Sequence, residues 1–202
     1  MGGKILAQLE RLAFYWQKRS LEKKLGLRFL TPYFGFFHLE DKTQRILSLY
    51  RIRWERIQGK RIVLVTGCFD LLHREHLNFL KKARKEGNLL VVGLESDRRI
   101  KQMKGEGRPV NPWQLRAKNL LRLPEVDFVI KLPDDFGRRT VRLKTLRLIK
   151  PHILAISSDD PLERKKREEC RIIDCQTKVV YPYNPRISTT KLLLDRVLTK
   201  FV

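Results

Sequence analysis

The spacing of apolar residues changes character near residue 60. Before it, Leu6, Leu9, Ala13, Trp16, Leu21 and Leu25 recur at helical intervals among scattered Lys and Arg, which predicts a basic helix over 6–30. Thr31-Pro32 breaks it, and the Phe-rich FGFFHLED leads into a second predicted helix over 42–57 that ends at Gly59. The run RIVLVTG, 61–67, then has the continuous β-branched character of a strand buried on both faces.

From there, strand and helix patterns alternate. A helix over 74–85 closes at Gly87, and the strand LLVVGLE is followed by the basic loop KGEGRPVNP and a helix over 113–123. VDFVIKL, HILAIS and KVVYPY read as further strands, separated by the helices VRLKTLRLI and LERKKREEC, with STTKLLLDRVL as the last helix. Such alternation implies right-handed crossovers and a parallel sheet covered on both faces. The expected fold is therefore α/β, a Rossmann-like doubly wound five-stranded parallel sheet. Residues 60–202 form that domain and residues 1–59 an N-terminal basic helical extension.

A length of 202 residues suits one such domain with an appendage, and 42% hydrophobic against 33% charged residues is enough apolar material for a core. Charged residues interrupt every hydrophobic run well short of the roughly 18 residues of a membrane span. The start, MGGKILAQLERLAF, reaches Glu10 and Arg11 before any long apolar stretch, shows no cleavage site and has Leu6 where a myristoylation signal has Ser or Thr. Together with three cysteines, Cys68, Cys170 and Cys175, that have neither zinc nor disulfide spacing, this predicts a cytoplasmic protein with reduced thiols. Lys and Arg number 44 against 22 Asp and Glu, a net charge of +22, which raises the local concentration of polyanions without choosing among them. For the extension, three roles stay open: covering the domain or a second subunit of a homodimer, peripheral contact with an anionic membrane through Phe14, Tyr15 and Trp16, or binding nucleic acid.

In a parallel sheet of this kind, ligands sit at the carboxyl ends of the strands where strand order reverses. The first strand exits into TGCFDLLHREH, residues 66–76, with a Gly, an Asp and two histidines three apart at a helix start. Rings at i and i+3 join the free amides of a helix N-terminus in facing an anion such as a triphosphate. Read alone, a pair of histidines three apart at a helix start more often makes ordinary backbone contacts. As a metal site the pair is poor, because no third ligand has useful spacing. Asp70 fits a helix cap as well as a site. Cys68 reads as a small buried residue, His38 and His152 as structural, and Arg164 to Arg167 as an exposed helix face.

These residues resemble the cytidylyltransferase-like nucleotidyltransferases, whose signature G-x-F-D-x-x-H-x-G-H is matched by Gly67, Phe69, Asp70, His73 and His76. The likeness is greatest to the heptose-phosphate adenylyltransferase domain, through GRPVNP, VDFVI, KPHILA and the late Ser188-Thr189-Thr190, and it covers about residues 43 to 200. The resemblance implies in-line attack of a substrate phosphate on the α-phosphorus of ATP or CTP, with no covalent enzyme intermediate. It also implies that His73 and His76 hold the triphosphate. Ser188 and Thr189, with Thr190, would donate to its β- and γ-phosphates, and Gly67, Cys68, Phe69 and Asp70 would line the nucleotide. Arg116 would face the nucleotide, Lys104 and Arg108 would add charge from the loop, and Mg²⁺ would arrive with the phosphates. The acceptor would be a sugar or polyol phosphate.

The chain departs from the pattern in places. Glu75 replaces the Gly between the histidines, Ser157-Ser158-Asp159 replaces a Gly-rich turn, and Ile156 stands where heptose relatives often have Lys. Tyr183 takes the place of an Arg, with Arg186 close by. The departures leave a second reading open, a catalytically silent module that binds nucleic acid or an anionic membrane through its basic surface.

Overall fold

The computed structural model describes residues 41–182, with side chains from residue 48. The predicted helices over 6–30 and 188–198 lie outside the described residues. The chain divides into two units, Met1–Lys60 and Arg61–Val202. In the first, the described segment is helix α1 (Asp41–Ile57), which ends in a turn where the Gln58 and Lys60 amides donate to Trp54 and Glu55. Gly59 has φ of 84°, a left-handed conformation that glycine adopts without a Cβ penalty, so the helix stops there.

In the second unit the described strands are β1 (Ile62–Gly67), β2 (Leu89–Leu94), β3 (Phe128–Lys131), β4 (Ile153–Ser157) and β5 (Gln176–Tyr181). They pair in parallel in the order β3-β2-β1-β4-β5, so strand order reverses between β1 and β4. Ile62, Val63, Leu64 and Val65 of β1 are fully buried, as are Leu90, Val91, Val92 and Leu94 of β2. This is why both read as continuous apolar runs rather than alternating ones. The helices are α2 (Arg74–Arg84), α3 (Asp97–Lys104), α4 (Trp113–Leu121), α5 (Arg139–Ile149) and α6 (Glu163–Ile172). Leu80 and Ala83 of α2, and Trp113, Ala117 and Leu120 of α4, complete a core cluster with Phe69, Val129 and Ile153.

The Rossmann-like parallel sheet is as expected, with one helix more than the periodicity implied. Helix α3 buries Ile100, so it carries almost no apolar repeat, and its start is set instead by Ser96, whose hydroxyl accepts from the Arg99 amide. Polar side chains fix the strand starts opposite the site. His152 Nδ1 accepts from the Ile62 amide at 2.9 Å, Asp127 from Leu90 at 2.7 Å and Asn88 from Arg61 at 2.8 Å. His152 thus has a structural role, as expected from the sequence.

Two features position the opposite edge. Strand β1 pairs with β4 at Val63↔Ile153 and Leu64↔Leu154, whereas its pairing with β2 runs on to Gly67↔Leu94. Beyond Leu64 the pairing of the two central strands ends, at the switch point where sheets of this kind open a ligand crevice at their carboxyl ends. Alongside it, α5 and α6 are joined by a buried ion pair, the Arg142 guanidinium donating to the Glu169 carboxylate at 2.6 and 3.0 Å and also to the Gly137 carbonyl.

Candidate active site

The exit of β1 is tightly built. Gly67 lies under the Phe69 ring, where a Cβ would come within 2.9 Å of a ring carbon, so the turn needs glycine. Phe69 itself has φ of 42° and is buried, and its ring leans on His76 at a centroid distance of 5.2 Å. His73 precedes the first residue of α2, and its ring stacks on His76 at 3.8 Å and 24°. Among the described residues, Nδ1 of each imidazole is buried without a hydrogen-bond partner. A buried acceptor or donor left unpaired is costly, and a ligand that pairs it recovers that cost.

Both imidazoles are held in the neutral form. Burial lowers the His73 pKa, opposed by the Glu75 carboxylate. His76 is pushed down to about 4, first by burial, then by the His73 ring and the Lys104 ammonium, against the opposing pull of the nearby Leu71 carbonyl. Lys104, at the end of α3, also acts on the Cys68 thiol, where burial wins and raises the pKa, so Cys68 is not an activated nucleophile. Lys104 is near enough for its charge to act on both His76 and Cys68.

Asp70 serves the loop rather than a helix. Its buried carboxylate accepts from Arg108 Nε at 2.7 Å, from the Val110 amide at 3.1 Å and from the Asn111 amide at 3.0 Å, while the Asn111 side chain donates to the Asp70 carbonyl at 2.9 Å. Burial pushes the Asp70 carboxyl up, but the donors of Asn111, Val110 and Arg108 outweigh it and the net shift is downward. The GRPVNP loop is thereby strapped to the β1 exit. Arg108 keeps Nη2 buried and unpartnered among the described residues, on the same side chain that Asp70 anchors.

Arg116 lies beneath this arrangement, buried at 1% exposure. Its guanidinium donates to the carbonyls of Cys68, Asn111 and Glu95 at 2.6 to 3.0 Å and to the Asp97 carboxylate at 2.6 Å. It ties the ends of β1 and β2 and the loop into one floor instead of projecting outward. Glu75 also turns aside, accepting from the Tyr181 hydroxyl at 3.0 Å, which in turn accepts from Asn78 at 3.2 Å.

Gly67, Cys68, Phe69, Asp70, His73, His76, Lys104, Arg108 and Arg116 thus meet at one end of the sheet. Ser188, Thr189 and Thr190 lie outside the described residues. Sequence reasoning missed Asn111, whose signal was its place between Val110 and the Pro112 that precedes α4. It also misread the 164–167 run. Arg164 and Arg167 are exposed, but Lys166 turns inward to Asp160 at 2.6 Å and to the Thr66 hydroxyl at 3.4 Å. The reason is helical spacing: Lys166 shares a face with Glu169 and Cys170, which are buried. Cys170 and Cys175 prove to be neighbours, their free thiols 3.1 Å apart.

The sequence matches the family described as Cytidylyltransferase-like over residues 64–193. The chain belongs to that family. Within it, the chain is 44% identical over 118 residues to the bifunctional protein HldE of Pelobacter propionicus, covering 58% of this chain and 23% of that protein. It is 40% identical over 116 residues to HldE of Campylobacter fetus, covering 57% and 24%. The aligned region is thus about a quarter of the length of these relatives. A pantoate-beta-alanine ligase from Francisella tularensis shares the fold, with a TM-score of 0.54 at 18% identity over 75% of this chain and 74% of that one. The family resemblance read from GCFDLLHREH is borne out, and the curated relatives are HldE proteins, the direction in which GRPVNP and STT pointed.

Proposed function

We propose that residues 60–202 are a nucleotidyltransferase domain that moves a nucleotidyl group from ATP or CTP to a sugar or polyol phosphate. A phosphate oxygen of the acceptor attacks the α-phosphorus, the bond from that phosphorus to the bridging oxygen of the β-phosphate breaks, and pyrophosphate leaves. The observation that carries this reading is the stacked His73–His76 pair with two unpaired buried Nδ1 atoms at the family's own motif. The neighbouring cations Lys104 and Arg108 favour a polyanion there.

His73 and His76 receive the triphosphate, and Arg108 reaches it through the Nη2 that Asp70 leaves free. Arg116 and Asp70 act as positioning residues, holding the floor and the loop. Ser188, Thr189 and Thr190 complete the phosphate site from the last helix, by resemblance to the family. Mg²⁺ would come with the nucleotide. The described residues offer no cluster of three metal-ligating side chains, and Asp70 is committed to its own donors, so the ion would be held by phosphate oxygens. No helix among the described residues is long and apolar enough to cross a membrane.

The test is pyrophosphate release by the full chain with ATP and with CTP against a panel of sugar and polyol phosphates. Release with one nucleotide that is lost in His73→Ala and His76→Ala supports the reading. If nothing in the panel turns over and nucleotide with Mg²⁺ leaves the melting temperature unmoved, the reading fails. A salt-sensitive gel shift with generic nucleic acid would then favour the basic-module alternative.

A further inference from the structure

We infer that Lys166 is a specificity-determining residue for the acceptor, the cation that receives its phosphate in the crevice between β1 and β4. The inference rests on the nucleotidyl-transfer reading and adds to it the residue that selects an anionic second substrate. Three observations support it. The crevice opens where the β1–β4 pairing stops, after Leu64 and Leu154, and Thr66 stands on its β1 wall immediately before the Gly67 turn. Lys166 enters there from α6, with its side chain 12% exposed, close enough to Thr66 for a 3.4 Å contact. The side chain is not on its way to solvent, unlike Arg164 two residues before it, which is 93% exposed.

An ammonium has three donors. Asp160, from the β4–α6 connection, takes one at 2.6 Å and Thr66 takes a second at long range, which leaves the third for a ligand. The support is rigid. Thr177 of β5 donates to the Lys166 carbonyl at 3.3 Å, and three residues on, Glu169 is locked to Arg142. The ammonium also bears on Glu95 at the end of β2, a buried carboxylate that Arg99 accompanies at 3.1 Å, so its field reaches across the mouth of β1. On the opposite side of the β1 exit stand the histidines and the GRPVNP loop. On the nucleotidyl-transfer reading, a nucleotide held there would present its α-phosphorus toward the crevice, where an attacking phosphate needs a positive partner. Ile156, at the end of β4, supplies none, and Lys166 comes from the next helix to fill that role.

The experiment is steady-state kinetics of the full chain, varying the acceptor phosphate at saturating nucleotide and the reverse, for Lys166→Met, Lys166→Arg and the double variant Lys166→Met/Asp160→Asn. A lost charge-assisted contact predicts an acceptor KM raised by about ten-fold or more in Lys166→Met, with the nucleotide KM within about two-fold of the parent. Lys166→Arg should recover most of the loss. The double variant removes the stranded Asp160 charge, so it keeps the acceptor defect even if Lys166→Met alone folds poorly. An unchanged acceptor KM in both Met variants overturns the inference, as does an equal rise in both KM values, which would put Lys166 on the triphosphate. Absence of turnover by the parent chain with every acceptor would remove the nucleotidyl-transfer reading, and this inference with it.

Discussion

At the residue scale, the site depends on neutral imidazoles waiting for an anion. His76 has an ordinary pKa of 6.5 and sits near 4 in the fold, so the unfolded chain binds its proton first as pH falls. Stability should therefore be constant in this group above pH 6.5 and decline from there toward pH 4. The decline should be shallower in His76→Gln, as urea midpoints at several pH values would show. A bound triphosphate reverses the balance by favouring the imidazolium. Nucleotide binding near pH 6 should then take up a proton, which calorimetry in two buffers of different ionisation enthalpy would detect; equal heats in both would count against phosphate contact with the pair. Glu75 yields a second expectation. Its carboxylate is engaged by Tyr181, so Glu75→Gly should not improve nucleotide affinity by more than about two-fold, and should cost about 1 kcal/mol of stability for a glycine in the first turn of α2.

At the scale of elements, what the sequence made legible was decided by burial. β1 and β2 announced themselves because both faces are covered, and the β1 exit was readable because glycine, Phe69 and the histidines have distinct spacing. Helix α3 was invisible to periodicity, since Ile100 is its one buried residue. Lys166 was lost in a run of four basic residues, because composition cannot say which of them faces the sheet. Arg116 read as a nucleotide contact, whereas its guanidinium donates to Cys68, Glu95, Asp97 and Asn111. No local signal distinguishes a guanidinium that anchors a floor from one that meets a ligand. The packing of α5 on α6 offers a direct test of this level. Arg142→Met leaves the buried Glu169 charge unpaired and should destabilise by about 3–5 kcal/mol, whereas Arg142→Met/Glu169→Leu should return close to the parent, measured by urea denaturation.

For the molecule as a whole, a net charge of +22 sets how fast anions arrive more than how tightly they are held. Raising ionic strength from about 50 to 300 mM should lower kcat/KM for the nucleotide several-fold and leave kcat nearly unchanged, since screening shortens the reach of the field to a few ångströms. A kcat that falls in parallel would mean that salt disturbs the site itself. The parting of β1 from β4 has an effect of its own. The cleft there is a by-product of strand order, and Thr66, the turn after β4 and α6 beside it contribute nothing to the main apolar cluster. Such a cleft can be retooled for a different client molecule by rewriting one turn and one helical face, while the interior that keeps the chain folded goes untouched.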